Sequence, residues 1–122
     1  MVVDDHEQVA EDLRSNLAEQ GYTVETCGDP AIAYERCAAE PARYKLVFMD
    51  VRFPAGDVGI EAARRIKALA PQGGPRVVLM TGLRGKFDSI SAELSTAADG
   101  VLLKPLFKWL VIQMAEKHCP SA

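Results

Sequence analysis

Short apolar runs rich in β-branched residues alternate with longer amphipathic stretches, five times along the chain. MVV (1–3), YTVETC (22–27), KLVFMD (45–50), RVVLMT (76–81) and GVLL (100–103) read as strands. KLVFMD and RVVLMT are almost continuously apolar, the pattern of strands buried on both faces. The stretch 6–20 carries Val9, Leu13 and Leu17 at four-residue spacing, and 59–70 sets Ile60, Ala63, Ile66 and Leu69 on one face, so both read as helices. Asp29-Pro30 supplies an N-cap and an N1 proline for a helix running to about Glu40, where Pro41 stops it. Gly21 stands where a helix C′ glycine belongs. Segments 87–98 and 106–118 complete the helices, the former only weakly amphipathic. Strict β-α alternation with short links predicts a parallel sheet with helices on both faces, a three-layer doubly wound α/β domain.

At 122 residues, without internal repeats, low-complexity segments or linkers, residues 1–122 are expected to form a single domain. A formal net charge of -3 argues against binding a phosphate backbone, which needs a basic stripe. No apolar run approaches the roughly 18 residues of a membrane span, and no signal-peptide pattern opens the chain. Cys27, Cys37 and Cys119 form no CxxC pair and only two histidines exist, so a zinc site is not expected and a reducing, cytoplasmic setting is.

Four of the five strands end in a polar group: Asp4-Asp5 after the first, Asp50 after the third, Thr81 after the fourth, Lys104 after the fifth. In an open parallel sheet, ligands bind beyond the carboxyl ends of the strands, so these residues should converge although they are scattered in sequence. Taken singly, each has a plain alternative: a solvated strand end, a turn threonine, an exposed lysine. Together they are chemically complementary. Three carboxylates without histidine or cysteine make a hard oxygen site suited to Mg²⁺ or Mn²⁺. A neighbouring lysine and hydroxyl would meet anionic oxygens, which describes a phosphoryl-transfer site with Asp50 as the nucleophile.

The segments MVVDDHE, LVFMDVRFP, VVLMTG and DGVLLKP, in this order and spacing, make the chain resemble the response-regulator receiver domain, the CheY-like phosphoacceptor module of two-component signalling. The resemblance spans nearly the whole chain. It implies a flavodoxin-like (βα)5 fold with a five-stranded sheet of order 2-1-3-4-5. It also implies that Asp50 is the phosphoacceptor and that Mg²⁺ is held by Asp5, Asp50 and the backbone carbonyl of Arg52, with Asp4 acting through water. By the same resemblance Thr81 is the switch hydroxyl, Lys104 its ion-pairing partner, and the Lys104–Pro105 bond cis. The implied partners are a histidine kinase or histidine phosphotransfer protein, and a second copy through the face built from helix 4, strand 5 and helix 5. No nucleic acid or membrane partner is expected.

Some positions depart from the family pattern. Val101 stands where the switch aromatic usually sits, and the loop VRFPAGDVG is about one residue longer than usual, so a local bulge is expected there. Arg52 and Leu83 occupy the positions flanking the path of the hydrolytic water, and apolar Leu83 implies that loss of phosphate is not especially fast. His6 reads as a solvated helix-start residue rather than a ligand. The brief first strand and the closely following last helix suggest a domain cut from a longer hybrid kinase or multidomain regulator, with a stand-alone receiver as the alternative. Three functions therefore compete: a phosphorylation-switched signalling module that is not a metabolic enzyme, a pseudo-receiver that only binds partners, and a Mg²⁺-dependent phosphatase. The last lacks an acid two residues after Asp50, where Arg52 stands.

Overall fold

The computed structural model describes residues 1–82 and 93–119. Its strands are β1 (Val2–Val3), β2 (Thr26–Cys27), β3 (Leu46–Asp50), β4 (Arg76–Thr81) and β5 (Gly100–Leu103). Its helices are α1 (Glu7–Ala18), α2 (Pro30–Ala39), α3 (Val58–Lys67), the helical residues 93–97 (α4) and α5 (Lys108–His118). All pairings are parallel and the order is β2-β1-β3-β4-β5, as the resemblance implied.

Strand alternation divides the core into two layers. Val47, Met49, Val77 and Leu79 face one side and pack with Ala33 and Cys37 of α2, Ile60, Ala63 and Ile66 of α3, and Leu94 and Ala97 of α4. Phe48, Val78, Met80 and Leu102 face the other, against Ala10, Leu13 and Leu17 of α1 and Val111 and Ala115 of α5. Every residue of β3 is buried, as expected for a central strand covered on both faces. Asp29 caps α2, its side chain accepting the Ala31 N–H at 2.8 Å, with Pro30 following at N1.

Several elements are narrower than the sequence suggests. The expected 22–27 strand pairs only over Thr26–Cys27, because β1 offers it a two-residue partner; Tyr22 and Val24 instead pack on the α1–α5 layer. The helix expected over 59–70 runs Val58–Lys67 and gives way to a 3-10 turn at Ala70–Gln72. The last helix starts at Lys108, leaving Phe107 53% exposed and Trp109 64% exposed, whereas Val111 is fully buried. The longer loop after β3 closes as a tight turn, with Phe53 and Gly56 exchanging two backbone hydrogen bonds at 2.8 Å and Gly56 at φ 113°. Leu83 and part of the expected 87–98 helix lie outside the described residues.

Candidate functional site at the carboxyl edge of the sheet

Because all five strands run parallel, their carboxyl ends share one edge. Backbone hydrogen bonds fix each functional residue there. The Asp4 N–H donates to the Cys27 carbonyl at 3.0 Å, Val51 N–H to Met80 at 3.0 Å, and Lys104 N–H to Thr81 at 2.8 Å. Asp50 is the last residue of β3 and pairs in register with Met80, so Thr81 lies one step further along the neighbouring strand. Lys104 follows β5 directly, and its bond to Pro105 is cis.

The side chains of Asp4, Asp5, Asp50 and Lys104 lie together at this edge. Lys104 Nζ lies 3.2 Å from Asp50 Oδ1 and 3.6 Å from Asp4 Oδ2. Asp4, Asp50 and Thr81 are the buried polar residues among those described, and Asp5 is half-buried beside them. Burial raises the Asp50 pKa above the ordinary carboxylate value, the charge of Asp4 raises it further, and Lys104 and the Val51 N–H pull it back. Arg52 is arranged differently: its side chain is exposed and turns to Asp57, with Nε 3.4 Å from Oδ1, at the N-cap of α3.

His6 is the exposed N-cap of α1, as a solvated helix-start residue should be, but its ring also lies against the acids. Its backbone N–H donates to Asp4 Oδ1 at 2.9 Å, an Asx-type turn that folds the chain back on itself. The imidazole Nδ1 then lies 3.2 Å from Asp4 Oδ1 and 3.4 Å from Asp5 Oδ1. One donor atom each from Asp4, Asp5, His6 and Asp50 falls within 4.8 Å of all the others.

Asp4 Oδ2 and Asp5 Oδ1 are buried oxygens that accept no hydrogen bond from the described residues. Such atoms are costly unless a cation compensates them, and one lysine does not balance three carboxylates. The donor set therefore fits a hard divalent cation. No helix among the described residues is long and apolar enough to cross a membrane. All three cysteines are free thiols.

Residues 1–116 match the family model of the response regulator receiver domain. The chain is 34% identical over 110 residues to the transcriptional regulatory protein AruR of Pseudomonas aeruginosa, covering 87% of this chain and 43% of that protein. It is 34% identical over 105 residues to the response regulator MprA of Mycobacterium ulcerans, covering 86% and 43%. The chain thus spans less than half the length of these curated relatives. Among solved structures, the receiver domain of NtrX from Brucella abortus superposes with a TM-score of 0.79 at 23% identity, over 99% of this chain and 98% of that one. The chemotaxis protein CheY4 of Vibrio cholerae gives 0.75 at 22% identity, over 96% and 94%. These two likenesses concern the fold, while the family match spans residues 1–116. The chain belongs to the response regulator receiver domain family of two-component signalling.

Proposed function

We propose that this receiver accepts a phosphoryl group on Asp50 from a phosphohistidine of a histidine kinase or histidine phosphotransfer protein. The observation that carries this reading is Asp50 itself, a buried carboxylate at the end of the central strand with Lys104 3.2 Å away and two further acids beside it. Its raised pKa makes it a more basic, hence stronger, nucleophile than a solvated aspartate. An Asp50 oxygen attacks phosphorus, forming a P–O bond as the P–N bond to the donor imidazole breaks. The leaving nitrogen keeps the bonding pair and is protonated, and Asp50 becomes an acyl phosphate.

Lys104 pairs with the incoming phosphoryl oxygens. Thr81, the last residue of the adjacent strand, offers its hydroxyl to the same group. Asp5, Asp50 and the Arg52 carbonyl would hold Mg²⁺, or Mn²⁺ in its place, with Asp4 acting through water. When bound, the cation neutralises the acids and the phosphoryl oxygens, the main electrostatic requirement of this transfer.

The gain of about two negative charges draws Thr81 inward and alters the face formed by α4, β5 and α5. Leu103, Phe107 and Trp109 lie exposed on β5 and the start of α5, which supports a homodimer through that face. The greater length of the curated relatives supports a place within a longer cytoplasmic regulator. The protein would then be a switch whose catalysis is confined to its own phosphorylation and dephosphorylation.

Incubation with Mg²⁺ and acetyl phosphate, followed by intact mass, tests this. A Mg²⁺-dependent gain of one phosphoryl group in the wild type, lost in Asp50→Asn, is expected. A pseudo-receiver would bind Mg²⁺ without that gain. The feature favouring this second reading is Val101, half-buried against the α2–α3 layer where the family usually carries an aromatic switch.

A further inference from the structure

We propose that His6 is a metal ligand in this receiver and tilts its cation site from Mg²⁺ towards Mn²⁺, an inference that rests on reading the acidic edge as a divalent-metal site. Three observations carry it. The Asx turn at Asp4 aims the ring at the acids, with Nδ1 3.2 Å from Asp4 Oδ1 and 3.4 Å from Asp5 Oδ1. Adjacent donors of an octahedral shell with bonds near 2.1 Å lie about 3 Å apart, so the imidazole already sits at close to ligand spacing. Among the described residues, Asp4, whose side chain is fully buried, and Asp5 each keep one oxygen with no hydrogen bond, faced only by the more distant Lys104, at 3.6 Å from that of Asp4, and by the His6 ring, at 3.4 Å from that of Asp5.

Helix capping does not account for the ring. His6 is the N-cap of α1, yet its side chain makes no capping hydrogen bond. The ring is 69% exposed and is held over two carboxylates. A nitrogen and carboxylate oxygens at this distance share either a proton or a cation. In the first case His6 competes with metal, and in the second it binds it. Three carboxylates facing a single lysine favour the second.

A nitrogen donor changes selectivity. Mg²⁺ prefers oxygen and gives up water reluctantly, whereas Mn²⁺ stands above it in tolerance for imidazole.

The test titrates the full chain with Mn²⁺ and with Mg²⁺ by calorimetry, and records the electron spin-echo modulation of the Mn²⁺ complex. His6→Ala and Asp5→Asn are compared with the wild type. His6→Ala removes an exposed side chain that caps nothing, and circular dichroism checks that it folds. The wild type should show imidazole nitrogen coupling to Mn²⁺. His6→Ala should lose it, and the Mn²⁺-to-Mg²⁺ affinity ratio should fall by about tenfold. Asp5-dependent Mn²⁺ binding without nitrogen coupling, or tighter binding in His6→Ala, overturns the role of His6 and leaves the metal site standing. Absence of any Asp5-dependent binding of either ion overturns the metal reading, and this inference with it.

Discussion

Asp50 and Cys37 are both ionisable groups removed from water, and the fold treats them in opposite ways. Asp50 is held beside Lys104, whose charge offsets the cost of burial and of Asp4. Cys37 is fully buried on α2; burial pushes its thiol up to about 11, the Met1 amino group opposes this only in part, and Cys27 adds to it. A thiol that ionises later when folded than when unfolded contributes stability that is complete below the ordinary value of 9.0 and is lost as pH rises through about 11. Urea titrations should find Cys37→Ala about 1 kcal/mol less stable than wild type at neutral pH, from the lost packing. That gap should narrow steadily on the alkaline side, and a pH-independent gap would show that the thiol is not so perturbed. At this scale the sequence was uneven. The acids and Lys104 were legible because a polar residue ending an apolar run stands out. The place of His6 at a helix start was legible as well, but not the approach of its ring to the acids, which follows from a hydrogen bond between its own N–H and the Asp4 side chain.

Among the elements, α3 bears most directly on the site. Its first turn lies against the end of β3: the Gly59 N–H donates to the Val51 carbonyl at 3.0 Å, and a Cβ at position 59 would overlap the Asp50 carbonyl oxygen. The need here is for space, not for an unusual backbone angle. Gly59→Ala should cost about 2 kcal/mol in urea unfolding, as overpacking against backbone does, and should slow acetyl-phosphate labelling of Asp50 because α3 and β3 must part. A variant of wild-type stability and labelling rate would mean that the contact relaxes freely. The bounds of β4 and β5 could be read directly, since a parallel strand between helical layers is a plain apolar run. Those of β2 could not, because strand length there depends on what its partner offers, a property of the pair.

The whole molecule presents Phe107 and Trp109 to solvent on the face proposed to switch. Their exposure was not legible in 106–118, where apolar residues are crowded enough that helical spacing alone does not say which turn faces the sheet. Trp109 is the single tryptophan, so it reports on this face without labelling. With Mg²⁺ and the phosphoryl mimic beryllofluoride, its emission should move to the blue as dimers appear in sedimentation, and Trp109→Arg should stay monomeric. Unchanged emission together with an unchanged sedimentation coefficient would count against the homodimer. The ion pair between Lys104 and Asp4 has a further consequence, in time. Its two ends lie at opposite reaches of the chain, and β5, which delivers the lysine, docks only on β4, itself seated on β3. On a ribosome, the acids emerge long before the lysine does. The acids of a nascent receiver domain therefore wait for Lys104 until the fifth strand is made, and the pocket closes late in the folding of the domain. A half-made receiver domain lacks the lysine that faces these acids.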